Sequence, residues 1–175
     1  RVKINGKVET NLAFDVTEKM KVEVDGKEVF MPERFTYLMM HKPKGYLTTV
    51  SDDRNRKTVM ELLPAEFKHL MPVGRLDYNS EGLLLFTNDG NVAQKIMRPA
   101  REVLKTYSVK VEGEVSLSDA KEIQKGVELI DGTKFKECKV VIQEIKERKT
   151  KLEVSITEGK NREIRKMFDK FGYNV

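Results

Sequence analysis

Apolar and polar residues alternate over residues 2–8 and again over residues 22–29, and each stretch is interrupted by a turn dipeptide, Asn5-Gly6 or Asp25-Gly26. Period-two alternation predicts half-buried strands, and both dipeptides suit tight turns with positive φ, so two hairpins are expected. A segment of about 30 residues buries little surface by itself, so this one reads as part of a module or as a lid on the next domain. Residues 31–36, which include Met31-Pro-Glu-Arg34, read as a linker. A strand is predicted from Tyr37, then a loop at Pro43 to Gly45, then a second strand reaching Thr49. Thr58-Val-Met-Glu61 has capping-box spacing and opens a short helix that stops by Pro64. The unbroken apolar run 83–86 predicts a fully buried strand. Residues 91–97 predict a helix with Val92 and Ile96 on one face, ended near Pro99. Tyr107, Val109 and Val111 share one side of an alternating strand, and Ser118 can cap a helix finishing at Gly126. Strands are expected near residues 139–145 and 151–156. A last helix carries Ile164, Met167, Phe168 and Phe171 at amphipathic spacing and stops at Gly172. Strands and helices mix without a βαβ rhythm, so the expected class is α+β, a mixed and largely antiparallel sheet with flanking helices.

Composition narrows the function. A chain of 175 residues can bury one real core and a small appended module. Its 33 Lys and Arg against 28 Asp and Glu leave a net charge of +5, compatible with nucleic acid or another anionic surface. The single cysteine, Cys138, excludes an internal disulfide and suits a reducing cytosol. Two isolated histidines and one cysteine do not make a familiar zinc site, so no metal is expected. No apolar segment approaches the roughly 18 residues of a membrane span, and no signal peptide is visible. The expectation is a soluble, cytoplasmic protein without a membrane partner. Gly159-Lys160 lacks the upstream glycine and the following Ser or Thr of a phosphate-binding loop.

Chemistry concentrates in residues 74–90, Gly-Arg-Leu-Asp-Tyr-Asn-Ser-Glu-Gly-Leu-Leu-Leu-Phe-Thr-Asn-Asp-Gly. Asp77 lies close to Arg75 in a glycine-bounded loop that leads directly into the apolar run. A loop anchored in this way can hold one reactive acid rigidly at a cleft. Taken alone, Arg165 reads as a solvated charge on a helix face, and Tyr107 reads equally as an ordinary core tyrosine or as a ring for stacking. His41 carries no argument for catalysis, and Asp52, Asp53 and Asp89 read as turn and cap residues.

Residues 74–90 closely resemble the catalytic-aspartate motif of RNA pseudouridine synthases. Lys105-Thr-Tyr-Ser-Val109 and Glu158-Gly-Lys-Asn-Arg-Glu-Ile-Arg-Lys-Met167 resemble two further motifs of the RsuA-like branch, which modifies ribosomal RNA. His41-Lys-Pro-Lys-Gly-Tyr46 resembles that branch's first motif, so four matches run in family order. Residues 1–30 resemble the carboxyl half of an S4-like RNA-binding domain, whose two helices would precede Arg1. The organisation implied is a partial S4-like domain at 1–30, a linker at 31–36 and a synthase domain at 37–175. The family's chain also continues past Val175 with further strands, so the carboxyl end is expected to be incomplete.

The resemblance implies an isomerisation that breaks the N1–C1′ bond of a uridine, turns the base and rejoins it through C5. Such a reaction needs no redox cofactor or nucleotide, and none is expected. Asp77 would be the ionised carboxylate, acting at C1′ as a nucleophile or at the ribose as a base; both roles stay open. Arg165 matches the position that pairs with the acid, and a guanidinium there would keep it ionised beside a bound base. Tyr107 offers a ring to stack on the base and a phenol that could relay a proton, stacking being the safer role because its ordinary pKa is about 10. Arg75 matches the arginine that fills the space of the flipped-out base. Lys42, Lys44, Lys160 and Arg162 would contact phosphates. Ser80 stands where the family usually has threonine. Glu163 stands where it usually has glutamine, and puts a carboxyl near the site. The implied partner is ribosomal RNA or a ribosome-assembly intermediate, with the motifs most like those of the large-subunit (23S) enzymes and the protein a monomer. The alternative is a non-catalytic RNA-binding or assembly factor on the same fold, and Asp77, Tyr107 and Arg165 together favour the enzyme. A transfer-RNA synthase of this fold fits the motifs less well.

Overall fold

Both turn dipeptides close hairpins as the alternation predicts. In the computed structural model, which describes residues 1–30 and 34–175, Asn5 and Gly6 have φ of 50° and 80°, and Asp25 and Gly26 have 48° and 80°. The first hairpin joins β1 (Val2–Ile4) to β2 (Lys7–Val8), and the second joins β3 (Val22–Val24) to β4 (Lys27–Val29). Antiparallel pairing of β1 with β3 merges them into one sheet of order β2-β1-β3-β4. Ile4 is buried, but Val2, Val8, Val24 and Val29 are each at least 40% exposed, so this sheet packs thinly. Of the expected linker, residues 31–33 lie outside the described residues. Just after them, Thr36 N–H donates to Asn88 Oδ1 at 2.8 Å, and Asn88 Nδ2 donates to Arg34 O at 3.1 Å.

The next unit is a three-stranded antiparallel sheet of order β5-β7-β6, made of β5 (Tyr37–Lys42), β6 (Met71–Val73) and β7 (Gly82–Thr87). Its core holds Val59, Leu63, Leu70, Leu84 and Phe86. The strand expected to end at Thr49 does not form. Leu47 instead makes an isolated bridge with Thr58, its N–H donating to Lys57 O and its carbonyl accepting from Val59. The capping-box segment forms a 3-10 turn over Val59–Leu62, with the Glu61 carboxylate accepting from Thr58 N–H at 2.8 Å. Nor is the apolar run 83–86 wholly buried, since Leu83 is 66% exposed. Leu84 and Phe86 point into the core while Leu83 shares the uncovered face with Met39, because this sheet is packed on one side only. Helix α1 (Gly90–Met97) is capped by Asp89, whose side chain accepts from the N–H groups of Asn91 and Val92 and from the Tyr37 hydroxyl.

A second core is built from β8 (Lys105–Glu112), α2 (Leu117–Gln124), β9 (Val127–Glu128), β10 (Lys134–Phe135), β11 (Lys139–Lys146), β12 (Lys149–Ile156) and α3 (Glu163–Asp169). β12 lies between β11 and β8, antiparallel to both, and Val109, Val111, Leu152, Val154, Met167 and Phe168 fill the space beneath. Ser116, not Ser118, caps α2, its Oγ accepting from Asp119 N–H at 3.0 Å. The β9–β10 hairpin is absent from the sequence expectations because two-residue strands are too short for alternation to register. Gly126 enters it at φ 90°, where an added Cβ would lie 2.6 Å from the Phe135 carbonyl oxygen. The whole is the α+β, largely antiparallel class that the pattern predicts. Among the described residues, no helix is long and apolar enough to cross a membrane.

Candidate active site

The loop between β6 and β7 carries Asp77 across the seam between the two cores, and it is held there by the neighbouring chain. Gly74 and Gly82 bound it at φ 80° and 131°, values that a side chain would disfavour. Lys42, the last residue of β5, is wholly buried beneath the loop. Its ammonium donates to the carbonyls of Pro43 at 3.0 Å, Asp77 at 3.1 Å, Ser80 at 2.8 Å and, weakly, Tyr78 at 3.5 Å. Burial pushes this ammonium below the usual lysine range, and the negative charge of Asp77 pulls it back. Gly45 N–H donates to Tyr78 O at 2.8 Å. The Thr48 hydroxyl donates to Leu76 O at 2.9 Å and accepts from Leu76 N–H at 3.2 Å.

Lys42 is therefore not the phosphate contact expected of it. It has no exposed surface, and its three hydrogens are committed to loop carbonyls, so it shapes the acid's loop. The strand pattern carries a signal for this: Leu38, Met40 and Lys42 are alternate residues of β5, and the first two pack on the core. Thr48 has no such signal, because nothing in its local sequence marks it.

Arg165 and Tyr107 reach the same point from the second core. Arg165, on α3, places Nε 3.4 Å from Asp77 Oδ2, with both side chains partly exposed. Its Nη1 also donates to Val175 O. Tyr107 lies on the inward side of β8 with Val109 and Val111, at the end where the core gives way to the seam. Burial, then the charges of Glu163 and Asp77, raise its phenol further above the usual tyrosine value, so it is no base at neutral pH. Arg75 and Lys44 are exposed, as an RNA-facing side chain must be. Arg162 is exposed at φ 52° ahead of α3, and lines one hollow of about 170 Å³ with Arg165 and Lys166. Lys160 is exposed, but its ammonium is tied to Glu158 Oε2 at 2.9 Å and to the Lys134 carbonyl. Burial pushes the Cys138 thiol up to about 11, which makes it a poor nucleophile. Among the described residues, no group of three or more His, Cys, Asp or Glu side chains could hold a metal ion.

A carboxylate paired with a guanidinium and flanked by an aromatic ring at a basic seam is suited to chemistry on a nucleotide. The sequence profile of RNA pseudouridylate synthases matches residues 36–170. The chain belongs to this family. A Bacillus subtilis relative, ribosomal large subunit pseudouridine synthase B, is 37% identical over all of this chain and 72% of its own length. The Haemophilus influenzae protein of the same name is 39% identical, again over all of this chain but over 50% of its own. The crystal structure of a pseudouridylate synthase superposes with a TM-score of 0.75 at 25% identity, covering 99% of this chain and 74% of that one.

This pseudouridine synthase is thus an isomerase, and Asp77, Arg165 and Tyr107 are its candidate catalytic group. For Tyr107 the geometry sets apart two substitutions. Tyr107→Phe keeps the ring and is expected to retain activity within about 10-fold, whereas Tyr107→Ala, which removes a stacking platform, loses about 10–100-fold. Single-turnover rates of the two variants check this, and an inactive Tyr107→Phe would return the phenol to the chemistry.

Proposed function

We propose that this synthase converts a uridine of ribosomal RNA, in the large (23S) subunit, to pseudouridine. The convergence of Asp77, Arg165 and Tyr107 from two separate cores carries the reading, since an RNA-binding factor alone has no need of a paired acid near an aromatic ring. The names of the Bacillus and Haemophilus relatives support the choice of RNA.

In this reading the target base is flipped from its helix and stacks on Tyr107, while Arg75 occupies the space that it leaves. Asp77, paired with Arg165, acts at the sugar, at C1′ or on a ribose proton, as the N1–C1′ bond breaks. The base turns and C5 bonds to C1′. C5 then loses its proton and N1 takes one up, so the product has the atoms of the substrate. Lys44 and Arg162, with Lys166, meet phosphates beside the target. The thin β1–β4 sheet is part of an S4-like module that grips RNA away from the target, joined through residues 31–36 to the catalytic domain. The protein works as a monomer in the cytoplasm.

Mapping pseudouridines in ribosomal RNA from cells with and without this protein tests the proposal. Loss of a specific pseudouridine in large-subunit RNA, restored by the wild-type chain, is the expected result. An unchanged ribosomal map, with a pseudouridine lost from transfer RNA instead, would reassign the substrate.

A further inference from the structure

Among the described residues, Oε1 of Glu163 is the one buried side-chain oxygen or nitrogen without a hydrogen-bond partner. Glu163 is 4% exposed at the start of α3, two residues ahead of Arg165. Its other oxygen, Oε2, accepts from Lys160 N–H at 2.8 Å, and its own N–H donates to Lys160 O, so backbone and side chain together close the 160–163 turn. A second buried carboxyl, that of Glu158, itself 6% exposed, lies close enough for its charge to act on Glu163. Two carboxylates so placed repel, whereas a single proton between them makes a hydrogen bond.

The surroundings decide which carboxyl holds that proton. Glu158 accepts from Lys136 N–H at 2.7 Å and pairs with the Lys160 ammonium at 2.9 Å, donors that favour its ionised form. Oε1 of Glu163 faces no donor of this kind. Besides Glu158 and Lys160 of its own turn, the titratable groups that sense its charge are Tyr107 on β8 and Cys138 ahead of β11.

We propose that Glu163 is a positioning residue that works as a neutral carboxylic acid, donating from Oε1 to the Glu158 carboxylate and accepting at Oε2 from Lys160, and so holding the turn from which α3 aims Arg165 at Asp77. The proposal rests on the synthase activity and on the roles given to Arg165 and Asp77. Burial pushes the Glu163 carboxyl up to about 7, against the Lys160 N–H and with the help of the Glu158 charge. Although burial opposes it, the Lys136 N–H, then Lys160 and Glu163, bring Glu158 below the usual range. The acid is therefore neutral in mildly acidic solution. As pH rises it ionises, two carboxylates face each other, and the turn loosens under Arg165.

A carboxyl whose folded pKa lies above its unfolded value favours folding fully below the unfolded pKa, and that advantage is lost as pH rises through about 7. Glutamine in the same place would accept from Lys160 and donate to Glu158 at every pH. The test compares wild type, Glu163→Gln and Glu163→Ala in kcat, KM and thermal midpoint across pH 6–9. Wild type is expected to lose rate in a one-proton step near neutrality and to melt earlier above it. Glu163→Gln should match wild type at pH 6 and stay flat in both measures, while Glu163→Ala should be slow throughout. A Glu163→Gln variant that keeps the wild-type alkaline fall, or one that is folded but slow at pH 6, overturns the proposal. The melting curves report on the carboxyl pair even if the catalytic roles given to Arg165 and Asp77 are wrong.

Discussion

Asp77→Asn is expected to abolish pseudouridine formation, lowering the single-turnover rate by more than about a thousand-fold while leaving the fold intact. The amide keeps the size of the side chain but has no charge to offer at the sugar, whether as nucleophile or as base. The loop is held mainly by other groups, the charge of Asp77 serving only to favour the ammonium form of Lys42 against burial. It is the backbone carbonyls of Asp77 and Ser80 that Lys42 grips, and Leu76 is held by Thr48. The pair with Arg165 has both partners partly exposed at 3.4 Å, and such pairs contribute about 1 kcal/mol or less to stability. Melting curves should therefore overlay those of wild type. If Asp77→Asn forms pseudouridine at the wild-type rate, the acid lies elsewhere and the catalytic assignment fails.

Lys42→Met should be the most damaging change that touches no reacting atom. The methionine fills the volume but leaves the part-buried carbonyls of Pro43, Asp77 and Ser80 without the donor that satisfies them. A buried acceptor left unmet costs about 1–3 kcal/mol, and for these part-buried carbonyls together about 3 kcal/mol is expected. For a chain of this length that is a fall in thermal midpoint of roughly 6–12 °C. The rate should fall with it even at temperatures where the variant stays folded, because the carboxylate is no longer held at its place on the seam. The exposed neighbour provides the contrast: Lys44→Met should melt like wild type and weaken RNA binding alone. A Lys42→Met protein with wild-type stability but weakened RNA binding would restore the phosphate contact that the sequence suggests for this lysine.

Where local pattern and burial agree, the fold is legible in the chain. The turn dipeptides of the two hairpins, the inward face of β8 and the amphipathic spacing of α3 all read directly from it. Each is decided by a few neighbouring residues. The misreadings arise where distant chain settles the outcome. Leu83 looks buried because an apolar run does not reveal that its sheet is covered on one face. The segment ending at Thr49 looks like a strand, but its hydrogen bonds go to residues 57–59 and to the Asp77 loop. Lys42 looks like a phosphate ligand because charge predicts exposure, and only a set of converging carbonyls can make a buried ammonium tolerable. Glu163 reads from sequence as an acid near the site, yet the burial of its carboxyl and the bond it accepts from Lys160 N–H need the folded turn to be seen.

The two cores have a thermodynamic consequence for the RNA-bound enzyme. Each packed unit can open by its own local fluctuation, and the carboxylate belongs to one while the guanidinium and the ring belong to the other. In the proposed complex a nucleotide seated across the seam would touch both, so its binding energy would be shared between two otherwise separable opening equilibria. Substrate would then act as a cross-link that slows amide exchange in β7 and in α3 together. The enzyme would be most cooperative as a folded object at the moment it holds its target.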